Sequence, residues 1–129
     1  MTTQERVSLT IAVADNDPAI IDLIATDLSL EGHRVVATAL TGDEAVAACE
    51  MHHPDVLVTD YRMPPGLDGL ETIRRVREAG TAETCILYSN YKSPTISAVA
   101  RNVGAIYVKK GVLRTLRAAL PVQRNGHGS

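Results

Sequence analysis

Two aspartates stand where short apolar runs end. Asp15 directly follows the run at residues 11–14, and Asp60 directly follows the run at residues 56–59. Continuous apolar runs of this length are typical of buried parallel strands, whose carboxyl ends meet at one edge of the sheet. Two carboxylates at that edge repel each other unless a cation or a proton lies between them. The spacing therefore indicates a functional site that needs a counter-charge.

The simpler alternative is that each aspartate only caps the next helix. Asp17 is better placed than Asp15 for that role, because it directly precedes Pro18 and an N-cap acid followed by proline is a common helix start. The segment at residues 61–65, which follows Asp60, contains two prolines and does not start a helix. The functional interpretation of both acids is therefore favoured.

Two further polar side chains follow later apolar runs. Ser89 ends the run at 85–89, and Lys110 follows the run at 105–109. Taken singly, a serine in the position of Ser89 is more often only a strand-end hydroxyl, and a lysine in the position of Lys110 only a solvated surface charge. Together with Asp60 and a site for a hard cation, they suit phosphoryl chemistry, because the cations offset charge on phosphoryl oxygens while the hydroxyl donates a hydrogen bond.

The elements that must position these residues alternate along the chain. Runs rich in β-branched and apolar residues predict five strands, at 9–14, 34–39, 55–59, 85–89 and 105–109. Besides Asp17, helix starts are marked by Ser93 before a proline and by the capping-box spacing of Thr41 and Glu44. Three glycines stand where helices should end: Gly32, Gly80 and Gly104. This succession predicts an α/β fold, a five-stranded parallel sheet doubly wound by five helices in the flavodoxin-like manner.

The motifs around these four residues resemble the receiver domain of bacterial two-component response regulators, over roughly residues 7–120. The segments that carry the resemblance are the acidic entry at 15–18, the acceptor segment at 54–64 with Asp68 and Gly69, the hydroxyl segment at 87–90 and the lysine segment at 104–110. Each segment is weak evidence by itself, whereas their combination is specific.

The resemblance implies a role for each matching position. Asp60 matches the phosphoacceptor, and Asp15 and Asn16 match the acidic pair that holds Mg²⁺. The backbone carbonyl of Arg62 matches a further metal ligand. Lys110 rather than Lys109 matches the family's lysine, because it stands three residues after the aromatic residue.

The resemblance also implies a switch. Ser89 matches the hydroxyl that turns toward the phosphoryl group, and Tyr107 matches the aromatic that moves inward behind it. The expected function is that of a phosphoacceptor that takes its phosphoryl group from a histidine kinase or phosphotransfer protein and changes the face formed by the fourth helix, fifth strand and fifth helix. We expect no enzymatic activity beyond its own phosphoryl transfer and dephosphorylation.

Several positions depart from the family pattern. Asn16 stands where a second carboxylate is usual, so the metal site lacks one negative charge. Pro65 is an extra residue in the loop after Asp60, the turn before Tyr107 is one residue short, and Gly111 occupies a common proline position. Asn90 is bulkier than the small residue usual beside the hydroxyl and would narrow access to the acceptor.

Three other functions compete with this interpretation. The main alternative is a receiver-like interaction module that is never phosphorylated, which Asn16 and Asn90 favour. A phosphatase with an aspartyl nucleophile would carry a second acid two residues after it, where this chain has Arg62. A flavin carrier would need a phosphate loop after the first strand, and the acidic segment at 15–18 would repel phosphate.

Composition is consistent with one domain and excludes several functions. The chain has 129 residues, a formal net charge of -2 and scattered basic residues, which argues against direct binding of nucleic acid or an anionic membrane. Without a leader or a long apolar run, we expect cytoplasmic localisation.

Cys49 and Cys85 are expected to be reduced core thiols. Residues 1–6 are expected to be a tail, and 121–129 a flexible tail or linker stub, so that the chain is either a stand-alone receiver or a fragment cut at a linker.

Overall fold

The five predicted strands form one parallel sheet in the computed structural model, which describes residues 8–91 and 93–121. The strands are β1 (Thr10–Ala14), β2 (Arg34–Ala39), β3 (Val56–Thr59), β4 (Thr84–Ser89) and β5 (Ala105–Lys109). Their order across the sheet is β2-β1-β3-β4-β5. Strand order thus reverses between β1 and β3, the position at which open α/β sheets bind ligands. The flavodoxin-like prediction is confirmed, with strand ends that differ from the predicted ones by at most one residue.

Five helices alternate with the strands in the described part of the chain. They are α1 (Pro18–Leu30), α2 (Gly42–His52), α3 (Gly69–Ala79), α4 (Pro94–Asn102) and α5 (Leu113–Ala118). The buried residues of α1 and α5 pack on one face of the sheet, and those of α2, α3 and α4 pack on the other. Both faces of the sheet are therefore covered, which explains why its strands are continuous apolar runs rather than alternating ones.

The predicted helix starts are confirmed with one difference. Asp17 and Ser93 accept hydrogen bonds from the first turns of α1 and α4. At α2 the Thr41 hydroxyl accepts from the Glu44 N–H, at 3.1 Å. The Glu44 carboxylate, however, accepts from the N–H of Leu40 rather than from that of Thr41 itself. The second hydrogen bond of the capping box is thus donated by the residue before the expected one.

The predicted helix ends are also confirmed. Gly80 is the C-cap of α3 in a left-handed conformation, and Gly32 and Gly104 also have positive φ in the turns that lead from α1 to β2 and from α4 to β5. The tail predicted for residues 1–6 lies outside the described residues, as does residue 7. Of the predicted C-terminal tail, only residue 121 is described.

The helices of the described part of the chain include none that is long and apolar enough to cross a bilayer. Both cysteines are free and buried, as predicted.

Candidate functional site

Lys110 joins the two aspartates that the sequence singled out. Its ammonium lies 2.7 Å from Oδ2 of Asp15 and 3.2 Å from Oδ2 of Asp60. The Asp15 side chain is 3% exposed, and those of Asp60 and Lys110 are 14% exposed. Because water is largely excluded from this cluster, the charges interact more strongly than they would at an open surface.

The sheet brings these residues together by continuing its hydrogen bonds past the strand ends. The Asp60 N–H donates to the Ala14 carbonyl at the end of β1, and the Lys110 N–H donates to the Ser89 carbonyl at the end of β4. Since Ala14 and Thr59 are partners in the β1–β3 register, Asp15 and Asp60 leave the sheet side by side.

Each carboxylate is held through both oxygens. Oδ1 of Asp15 accepts from the Asp17 N–H at 2.9 Å, and Oδ1 of Asp60 accepts from the Tyr61 N–H at 2.7 Å. Lys110 contacts the other oxygen in each case. The orientation of both carboxylates is therefore fixed by backbone N–H groups one or two residues away and by one lysine distant in sequence.

The environment of Lys110 favours its charged form. Burial by itself lowers the pKa of this lysine, but the hydrogen bond to Asp15 and the charges of Asp60 and Asp15 outweigh burial and raise the pKa above its ordinary value. The ammonium thus remains charged throughout the neutral range.

Ser89 and Tyr107 meet at the loop that follows β4. Oγ of Ser89, a residue that is 2% exposed, accepts from the Tyr91 N–H at 3.1 Å. The Tyr107 hydroxyl donates to the carbonyls of Ser89 and Tyr91, at 3.3 and 3.1 Å, and burial raises the pKa of that hydroxyl. Tyr107 is therefore not simply a strand aromatic with a solvated hydroxyl, because it ties β5 to the loop after β4.

A cavity of about 260 Å³ opens beside Asp60. Its lining residues are Asp60, Arg62, Ser89, Asn90, Tyr91 and Lys110. This volume is several times the ~30 Å³ that one water molecule occupies in the liquid, so a phosphoryl group can fit beside the carboxylate.

Asn16 is not among the residues that line this cavity. It lies on an adjacent one of about 420 Å³, which Arg62 also borders. Of the predicted metal ligands, Arg62 thus borders both cavities, whereas Asn16 borders only the one that Ser89 does not line. Within the described ranges no group of three or more acidic, histidine or cysteine side chains is placed to hold a metal ion, in keeping with an amide at position 16.

The donor set nevertheless suits a hard divalent cation. Asp15 and Asp60 supply two carboxylates that already share one cation, and Asn16 supplies an amide oxygen. No described residue donates a hydrogen bond to the Arg62 carbonyl oxygen. Oxygen ligands of this kind fit Mg²⁺, and the missing carboxylate at position 16 reduces the negative charge available to it.

Two features of the site went unrecognised in the sequence. The rings of Tyr61 and Tyr91 are stacked, with centroids 5.4 Å apart and planes 17° apart, and the Arg62 guanidinium carbon lies 4.9 Å from the Tyr91 centroid. The only sequence signal was that each tyrosine closely follows the end of one of two strands that proved adjacent. The second feature is the role of Gly69, which belongs to the acceptor motif.

The reason for Gly69 is close backbone contact. A Cβ at this position would lie 2.0 Å from the Asp60 carbonyl oxygen, and the Gly69 N–H donates to the Tyr61 carbonyl at 2.6 Å. The start of α3 thus packs directly against the loop that joins β3 to α3 and begins with Asp60, which we call the acceptor loop. The departure at Gly111 also has a local explanation, because its φ of +142° is closed to proline.

The fold and site define a doubly wound α/β domain in which one lysine joins two carboxylates at the carboxyl edge of the sheet, where strand order reverses. Residues 11–120 match the profile of the response regulator receiver domain. The chain belongs to the response regulator receiver domain family.

Individual relatives agree with this assignment. The transcriptional regulatory protein TrcR of Mycobacterium tuberculosis is 38% identical over 92 residues, which are 71% of this chain and 31% of that protein. The virulence sensor protein BvgS of Bordetella bronchiseptica is 37% identical over 91 residues, which are 67% of this chain and 7% of that protein. The solved signal receiver domain of NarL from M. tuberculosis has a TM-score of 0.79 at 30% identity, over 86% of this chain and 92% of that one. This chain spans less than half of TrcR and of BvgS.

Proposed function

We propose that this chain is a phosphoacceptor switch that carries the phosphoryl group on Asp60. The single observation that carries the proposal is the position of Lys110, whose ammonium lies within hydrogen-bond distance of both Asp15 and Asp60 beside an open cavity. A carboxylate that is fixed, partly accessible and next to a cation is suited to attack phosphorus, because the cation offsets charge on the phosphoryl oxygens.

The chemical step is a transfer between two nucleophiles. A carboxylate oxygen of Asp60 attacks the phosphorus of a phosphohistidine on a kinase or phosphotransfer protein, so that an O–P bond forms while the P–N bond breaks. The electron pair of that bond stays on the histidine nitrogen. Lys110 donates to a phosphoryl oxygen throughout, and water later hydrolyses the acyl phosphate to restore the carboxylate.

Four groups of this chain would hold Mg²⁺. They are the side chains of Asp15, Asn16 and Asp60 and the backbone carbonyl of Arg62. When bound, the metal supplies positive charge close to the phosphoryl oxygens. Asn16 contributes an oxygen without charge, so we expect Mg²⁺ to bind more weakly than at a site with two adjacent carboxylates.

Phosphorylation of Asp60 is expected to change the conformation of Ser89 and Tyr107. A phosphoryl group on Asp60 gains a hydrogen bond from Ser89 and a charge-assisted one from Lys110, together worth roughly 2–4 kcal/mol. A complete change between two states, from 1:99 to 99:1, needs about 5.5 kcal/mol of differential binding. The switch is therefore partial and its second state is populated beforehand, with the change appearing on the α4–β5–α5 face.

The partners follow from this role. The phosphoryl donor is a histidine kinase or phosphotransfer protein, and the switched face binds a second copy of the chain or a downstream effector, with all of them in the cytoplasm. We expect no direct contact of this chain with nucleic acid or with a membrane. The alternative of an interaction module without phosphorylation has less support, because Asp60, Ser89 and Lys110 all line one cavity.

Acetyl phosphate with Mg²⁺, followed by measurement of the intact mass, tests the proposal. The wild type should gain the mass of one phosphoryl group, and Asp60→Asn should keep the fold and gain none. Asp22→Asn, which changes an exposed aspartate of α1, is the matched control and should behave as the wild type. Phosphorylation that persists in Asp60→Asn would overturn the assignment.

A further inference from the structure

Tyr91 contacts groups from three other parts of the site. Its backbone N–H donates to Oγ of Ser89 at 3.1 Å, and its carbonyl accepts from the Tyr107 hydroxyl at 3.1 Å. Its ring stacks on that of Tyr61, and the Arg62 guanidinium carbon lies 4.9 Å from the centroid of the Tyr91 ring. One residue of the loop after β4 thus holds both Ser89 and Tyr107, and is itself held by the loop after β3.

These contacts link Asp60 to both switch residues. The Tyr61 N–H donates to Oδ1 of Asp60 at 2.7 Å, so the tyrosine that stacks on Tyr91 is attached to the carboxylate itself. Asp60 and Ser89 line the same cavity, so a phosphoryl group on Asp60 can contact Ser89 directly. The two residues are also linked by a series of direct contacts through Tyr61 and Tyr91. The loop after β4 therefore cannot shift without disturbing the stack.

The same contacts oppose switching. In this structure Oγ of Ser89 is occupied as the acceptor of the Tyr91 N–H. Rotation of the Ser89 side chain toward a phosphoryl group on Asp60 breaks that hydrogen bond. Release of Tyr107 requires its hydroxyl to leave the carbonyls of Ser89 and Tyr91. All of these hydrogen bonds involve residues 89–91, and the ring of Tyr91 holds this segment in place.

We propose that Tyr91 stabilises the unswitched conformation of this domain, the one it has without a phosphoryl group. We call this role of Tyr91 a latch. It acts as a positioning residue, through Ser89 and Tyr107, and the inference rests on the proposed function because it assumes a switch at those two residues. The anchor is the ring rather than the hydroxyl, since the stacking and the cation–π contact both use the ring face.

Loss of the ring should shift the equilibrium between the two conformations. Aromatic stacking contributes enough to change a two-state ratio by roughly three- to tenfold. Removal of the ring should therefore raise the population of the switched conformation by about this factor before any phosphorylation, and less of the phosphoryl group's binding energy is then needed to complete the change.

The test compares Tyr91→Leu with Tyr91→Phe. Leucine keeps apolar bulk but removes the aromatic face, and phenylalanine keeps the face. Because Tyr91 is 45% exposed, neither change opens a core cavity, and a thermal unfolding curve verifies that each variant is folded. Backbone amide NMR spectra of both variants and of the wild type are recorded without ligand, and the wild type is also recorded with Mg²⁺ and beryllofluoride, a phosphoryl mimic.

The expected result concerns residues away from the substitution. In Tyr91→Leu without ligand, the amides of β5 and of α4 should move along the line that joins the free and beryllofluoride-bound wild-type positions. In Tyr91→Phe they should remain at the free wild-type positions. Tyr91→Leu amides that stay at the free positions, or that move in unrelated directions, would overturn the latch.

The same spectra separate this inference from the proposed function. A wild type whose β5 and α4 amides do not respond to beryllofluoride would overturn the switch, and the latch with it. A wild type that responds, combined with a Tyr91→Leu variant that is indistinguishable from it without ligand, would overturn the latch alone.

Discussion

Lys110 is closer to Asp15 than to Asp60, with 2.7 Å against 3.2 Å between its ammonium and the carboxylate oxygens. The proposed phosphoacceptor therefore shares its lysine with a neighbour that is 95 residues away from that lysine along the chain. Since Asp15 is also a proposed ligand of Mg²⁺, the lysine and the metal are two cations that interact with the same carboxylate. Their mutual repulsion has consequences that can be measured.

Lys110→Met should bind Mg²⁺ more tightly than the wild type. Two unit charges 4 Å apart interact by about 1–4 kcal/mol in environments between bulk water and a protein surface, so removal of the ammonium should tighten binding by on the order of tenfold or more. Phosphorylation by acetyl phosphate should nevertheless slow, because the lysine no longer offsets charge on the phosphoryl oxygens. Titration calorimetry with Mg²⁺ measures the first effect, and intact mass against time measures the second.

The matched control is Lys109→Met, which removes the same charge from an exposed position one residue earlier. It should change Mg²⁺ binding little. Equal affinities in the two variants would show that the ammonium of Lys110 does not compete with the metal.

Asn16→Asp should also tighten Mg²⁺ binding, for a different reason. The substitution adds a negative charge to an oxygen ligand and leaves Lys110 in place. Asn16→Ala, which removes the oxygen, should weaken binding relative to the wild type. Calorimetry on the three proteins gives the order directly. If Asn16→Asp binds Mg²⁺ no better than the wild type, residue 16 does not face the metal.

Gly69→Ala should distort the acceptor loop and destabilise the folded protein. The added Cβ would lie 2.0 Å from the Asp60 carbonyl oxygen, so either the start of α3 or the loop must move. Overpacking of this kind typically costs about 1–3 kcal/mol of unfolding free energy, and the movement should also slow phosphorylation at Asp60. Urea unfolding measures the first effect.

Ser29→Ala, on the exposed side of α1, serves as the comparison and should leave both properties unchanged. A Gly69→Ala variant with wild-type stability would mean that the contact relaxes without cost.

The two cysteines should be unreactive in the folded protein. Burial, with a smaller contribution from neighbouring charges, raises the pKa of Cys49 to about 12, and burial raises that of Cys85 to about 11. At pH 8 no more than about one thiol in a thousand is then a thiolate, the reactive form. A chromogenic disulfide reagent should therefore modify neither thiol in the native protein and both in guanidinium chloride. Fast labelling of the native protein would contradict their burial.

These pKa values also predict a loss of stability at alkaline pH. In the unfolded chain both thiols lose protons near pH 9, whereas in the folded protein they keep them. The folded state then binds more protons, so the free energy of unfolding falls as pH rises above about 9. Urea midpoints between pH 8 and pH 10 measure this slope. A Cys49→Ala and Cys85→Ala double variant should show a smaller slope than the wild type, and equal slopes would assign the effect to other groups.

The local parts of this fold could be predicted because they depend on neighbouring residues. A helix cap such as Asp17 needs only a carboxylate and an N–H two residues later, and a buried strand needs only a run of apolar side chains. The alternation of such runs with helices is enough to predict a parallel sheet, and the acids at the ends of two runs are enough to predict a site at its edge.

What the sequence determined by itself is therefore the order of the elements and the residue types that meet at one edge of the sheet. Only the tertiary structure decided how they meet. Lys110 pairs more closely with Asp15 than with Asp60, Tyr91 stacks on Tyr61, and Gly69 presses on the acceptor loop. The physical reason is that such contacts join segments far apart in the chain, and their distances follow from the register and packing of all the intervening elements, which no local pattern encodes.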